Sequence, residues 1–147
     1  MELINIAKIA IVAIAVIQSG IVPIQFGIAS QYAPNVMEHV VANRQGWGQL
    51  PADLPDGVSG YIAVLSCDAI GKVWFVRPEG GKWEQFLVAD CAGDTETIEW
   101  MKANNVLIEV GHETAKEWNA VGKGIKIEVI TENSVNGKMY RRDYEPL

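Results

Sequence analysis

The chain has 147 residues, 49% hydrophobic and 20% charged, with 14 glycines, which suits one globular domain with a single core and many turns. Its formal net charge of -6 argues against sequence-independent nucleic-acid binding, which needs clustered Lys and Arg to neutralise phosphates. The densest basic group, Lys138 with Arg141 and Arg142, is answered by Asp143 and Glu145 and reads as a solvated tail.

Between Lys8 and Glu38 no residue is charged, and residues 9–17 are a dense apolar run. The segment fits a secretory signal or an N-terminal signal-anchor helix; a buried soluble helix is the alternative. Residues 9–28 come to roughly the 20 residues a bilayer needs, with Gly20 and Pro23 interrupting the second half. Residues 1–26 are therefore set apart as a hydrophobic helix, cleaved or retained as a membrane anchor, and the remainder is expected to be exported.

A short helix is predicted after Tyr32. Pro34 suits a first helical position, and Val36, Met37, Val40 and Val41 form an apolar stripe that leaves Glu38 and His39 off it. Residues 46–60 are loop, rich in Gly, Pro and Asp, in which Trp47 and Leu50 either pack on the core or line a groove. Strands are predicted over residues 61–65 and 73–76, with a hairpin turn at 78–81 leading into another at 83–89. Asp94 to Thr97 reads as a helix start, with Ile98, Met101 and Trp100 turned inward and Asn104-Asn105 ending it. A strand follows over 106–110 and a helical turn over 112–118. Ile125, Ile127 and Val129 then alternate with Lys126 and Glu128 as a half-exposed strand. From Glu132 the chain is a polar tail. Closing such short strands into a small barrel removes exposed edges.

Two cysteines, Cys67 and Cys91, permit at most one bridge, which suits a domain outside the cytoplasm. With His39 and His112 they form a zinc set only if four scattered ligands converge, and no C-x-x-C or H-E-x-x-H occurs, so neither metal nor cofactor is expected. The most suggestive stretch is Phe86-Leu87-Val88-Ala89, which reads as a strand buried on both faces and delivers Asp90 and Cys91 at its end. A carboxylate there either caps backbone amides or is held for chemistry.

Three pieces in order resemble a known family. Gly27-Ile28-Ala29-Ser30-Gln31-Tyr32 is similar to the G-x-A-S-x-Y opening of the rare lipoprotein A family. Leu87-Val88-Ala89-Asp90-Cys91 resembles the strand-plus-Asp of double-psi β-barrels, followed by Cys in barwin- and expansin-like members. Ile108-Glu109-Val110, Thr114-Ala115, Trp118, Gly122-Lys123-Gly124 and Ile125 to Val129 resemble the closing elements. The resemblance implies an all-β fold with short helices: a six-stranded double-psi β-barrel over 27–131, after the 1–26 helix and before the 132–147 tail. It also implies that Cys67 pairs with Cys91 beside a groove holding Asp90.

In the family's lytic transglycosylases the matching Asp helps cleave the glycan strand of peptidoglycan, which would make Asp90 a general acid. The family's Glu and Ala-His pair are missing: Leu65 stands about where the His falls, and residues 34–60 replace the segment holding the Glu. Asp68 and Glu38 are the candidates to assist. The expected function is an exported or membrane-anchored, cell-envelope domain that binds polysaccharide, peptidoglycan included, with Trp47, Trp74 and Trp83 as stacking platforms. The alternatives are a lytic transglycosylase acting through Asp90, and a structural subunit assembling through its hydrophobic N-terminus.

Overall fold

In the computed structural model residues 23–131 are described in full, and residues 13–17 and 20–22 by their backbone alone. Strand β1 (Ala13–Ile17) pairs antiparallel with the first part of β2 (Gly20–Gln31), Ala13 opposite Ile24. Much of the segment expected to be a hydrophobic helix (residues 1–12, 18 and 19), and the tail over 132–147, lie outside the described residues.

From Gln25 onward β2 enters a barrel. After it come helix α1 (Val36–Gly46), strand β3 (Val58–Val64), a 3-10 turn at Cys67–Ala69, β4 (Val73–Pro78) and β5 (Glu84–Cys91). Helix α2 (Thr95–Ala103), β6 (Val106–Val110), α3 (His112–Glu117) and β7 (Ile125–Ile130) complete the order. Around the barrel the strands run β2-β6-β3-β5-β4-β7, and β7 returns to β2. Closure pairs every barrel strand on both sides, which removes the edges that would otherwise recruit other chains. The β2/β6 and β3/β5 pairs are parallel and the rest antiparallel, an arrangement compatible with a double-psi barrel.

Strand β5 is buried on both faces, as its apolar run predicts, because two cores meet on it. Phe86 and Val88 point into the barrel with Ile62, Val64, Ile108, Val110 and Val129. Leu87 and Ala89 face a second core formed with Met37, Val41, Leu50, Val58 and Val73 beneath α1 and the loop after it. At Gly27 a Cβ would lie 2.5 Å from the Leu107 side chain and 2.8 Å from the Asn105 carbonyl, so only glycine admits this approach of β2 to the α2–β6 connection. Asn105 itself takes a positive φ of 53° as α2 ends, accepts from the Ile28 amide and donates its side chain to the Phe26 carbonyl.

Candidate functional site

Helix α1 carries one side of the site. Met37 and Val41, four residues apart, sink into the second core, while Val36 is exposed, so the buried stripe is narrower than the sequence suggests. Arg44 follows at i+7 from Met37 and continues the buried face into the last turn. Its Nη2 lies 2.9 Å from Asp90 Oδ1, and its Nη1 donates to Gln49 Oε1 at 2.7 Å. The Tyr32 hydroxyl donates to the other oxygen, Asp90 Oδ2, at 2.7 Å. Both carboxylate oxygens of Asp90 are thus engaged, in an ion pair whose side chains are only 18% and 16% exposed. Burial, then the hydrogen bond to Asp90, pushes the Tyr32 phenol far up, so it serves as a neutral donor.

The register of β5 explains where Asp90 stands. Ile62 pairs with Val88 but Ala63 pairs with Asp90, an irregularity that leaves Ala89 as the extra residue. A bulge of this kind re-aims the side chain that follows it. Ala63 is also opposite Glu109 on β6, and Glu109 is opposite Ser30 on β2. Asp90, Ala63, Glu109 and Ser30 therefore form one row across four strands. With strands about 4.8 Å apart, the Asp90 and Glu109 backbones are about 10 Å apart, separated by a methyl group.

Glu109 has a different environment. It alternates with the buried Ile108 and Val110 and is itself half-buried. Burial pushes its carboxyl above the ordinary range; the Ser30 hydroxyl opposes this and the charge of Asp90 adds to it. Among the described residues it has no cationic partner. Beside it is a hollow of about 270 Å³ lined by Glu96, Thr97, Trp100 and Glu109. Helix α2 forms the wall. Asp94 caps its start, accepting from the Thr97 amide at 2.8 Å, which holds the Asp94 carboxyl below its ordinary value. Trp100, expected to turn inward, is 48% exposed, because Met101 takes the buried position on this short helix.

The residues singled out from sequence are distributed over the barrel. Trp47 is 67% exposed at the end of α1, with the Arg44 guanidinium 5.7 Å from its ring centroid, and so belongs to the Asp90 cluster. Trp74 is partly buried against the barrel core, paired across from Phe86. Trp83 stacks with Arg77 at 5.1 Å, seven residues before Asp90, which at strand rise places it about 20 Å away. Arg77 also pairs with Glu128 and lines a separate hollow of about 410 Å³ near Phe26 and Lys126. Glu38 and Asp68 are exposed, and neither is a partner of Asp90. Cys67 and Cys91 form a disulfide, tying the turn after β3 to the end of β5 next to Asp90. His39 is exposed on α1, His112 opens α3, and among the described residues no three His, Cys, Asp or Glu side chains converge as a metal site requires.

Four contributors were not recognised as site residues from sequence: Tyr32, Arg44, Glu109 and Trp100. Arg44 had a readable signal, since it prolongs the Met37–Val41 face by one turn. Glu109 had a weaker one, a carboxylate alternating with buried aliphatic residues. Compared with known proteins, the chain matches no family model and no curated protein matches it.

Proposed function

We propose that this chain is an exported double-psi β-barrel domain that binds cell-envelope polysaccharide along the Asp90–Glu109 row. The observation that carries this reading is the pair of exposed indoles at the two sides of that row, Trp47 beside Arg44 and Asp90, and Trp100 beside Glu109. Sugar rings offer apolar faces to such indoles and hydroxyls to carboxylates and phenols between them. The disulfide and the uncharged N-terminal segment support an extracytoplasmic setting, with the membrane as a further partner where that segment is retained. Co-sedimentation of the full chain with insoluble peptidoglycan sacculi tests the reading. Binding should weaken at least several-fold in Trp47→Ala and further in Trp47→Ala/Trp100→Ala. Unchanged binding of the double variant would show that the row is not the site.

A second reading, cleavage of the glycan strand, is favoured by the unlike surroundings of the two carboxylates. A carboxyl raised by its surroundings is suited to act as a proton donor. Here Asp90 is ion-paired and Glu109 is raised by burial, so Glu109 fits the proton donor better than Asp90. Protonation of the glycosidic oxygen would break its bond to the anomeric carbon, which a hydroxyl of the same sugar then attacks, releasing its proton. Anhydro-sugar products from sacculi are the readout.

A further inference from the structure

The two carboxylates of the row are neutralised unequally. Asp90 is answered by Arg44 and Tyr32, whereas Glu109 has no cation among the described residues. A ligand spanning the row therefore meets a compensated half beside Trp47 and an uncompensated half beside Trp100. On that second half the hollow of about 270 Å³ is walled by the exposed Trp100, and among the described residues no Lys, Arg or His lines it. An indole face and a half-buried carboxylate attract the same kind of group: an ammonium gains from the ring quadrupole and supplies the charge that Glu109 lacks. An anionic sugar would meet Glu96 and Glu109 with no counter-charge among the described residues.

We infer that the hollow between α2 and β6 is a subsite for a sugar carrying a free, protonated amino group, with Trp100 stacking on the ring and Glu109 and Glu96 holding the ammonium. This rests on the polysaccharide-binding reading and narrows its ligand to de-N-acetylated amino-sugar polymers. The Thr97 hydroxyl donates to Asp94 at 2.9 Å and keeps its oxygen lone pairs to accept from the ammonium.

The test is calorimetric titration of the full chain, slightly below neutral pH, with a glucosamine oligomer and an N-acetylglucosamine oligomer of equal length. The amine oligomer should bind about tenfold more tightly, the scale of one charge-assisted hydrogen bond, here to Glu109. That advantage should shrink with added salt. It should vanish in Glu109→Gln, while Trp47→Ala should weaken both oligomers and leave their ratio unchanged. The Trp100 indole resonance should move with the amine oligomer. Equal affinity for the two oligomers, or a preference that survives in Glu109→Gln, overturns the amine subsite while leaving glycan binding in place. Binding of neither removes the reading beneath it as well as the subsite.

Discussion

Asp90 and Glu109 both pair with Ala63, one from each neighbouring strand, so the two carboxylates flank a single methyl group in one cross-strand row. Their surroundings differ in a way that register alone does not convey. Asp90 spends both oxygens on Arg44 and Tyr32, and Glu109 keeps its carboxyl beside an open hollow. The row is thus fixed at one side and available at the other.

Removing Arg44 leaves Asp90 with one donor in a mostly buried position. Arg44→Ala is expected to cost about 1–3 kcal/mol, below the figure for a fully buried pair because these side chains keep some solvent. Denaturant unfolding of the two single variants and Arg44→Ala/Asp90→Ala measures it. If the two single losses simply add, the pair contributes nothing of its own.

The raised carboxyl of Glu109 sets a pH dependence of stability. The folded state holds this proton more tightly than the unfolded chain, whose ordinary value is 4.5. Stability from this group is therefore full below 4.5 and is lost as pH rises through the folded value. Glu109→Gln should flatten that part of the profile, and thermal melts across the acid range will show it. A profile unchanged by the substitution would place the titration elsewhere.

Asp94 acts in the opposite sense. Its folded carboxyl is held below the ordinary 3.8 by the Thr97 amide, so its contribution is present above 3.8 and disappears as pH falls through the folded value. Asp94→Ala should lower the melting temperature at neutral pH and bring it back towards the parent's at strongly acid pH. Helix α2 is the element that loosens, and with it the Trp100 wall.

The disulfide closes a 24-residue separation, for which the chain-entropy relation gives about 3 kcal/mol. Cys67→Ser/Cys91→Ser should lose about that much by denaturant unfolding. Because Cys91 adjoins Asp90, the same variant should also weaken the proposed glycan binding where the fold is retained. Stability equal to the parent's would mean that the closed barrel already holds this end of β5.

For the catalytic reading, sacculi incubated with the full chain should release anhydro-muropeptides. Glu109→Gln should abolish release, because a glutamine has no proton to donate. Release that persists in this variant but stops in Asp90→Asn would return the acid role to Asp90.

Much of the barrel was legible in the residues themselves. The apolar run over 86–89, the alternation over 125–129 and the Asn pair closing α2 are local signals, because side-chain period and backbone preference act over a few residues. Asp90 as the polar terminus of a buried strand was legible for the same reason. The family-level resemblance further pointed to the Cys67–Cys91 bond. Its companions were not legible. Tyr32 and Arg44 are 58 and 46 residues away, and Glu109 meets Asp90 only through Ala63 on a third strand. Their meeting depends on closure of the sheet, a one-residue bulge at Ala89 and the turn of α1 that aims Arg44, none of which leaves a periodic trace. Composition and periodicity thus determined which segments are buried and that a carboxylate stands at the end of one of them. Only the tertiary structure decided which charges surround it, because register between distant strands is set by packing of the whole barrel.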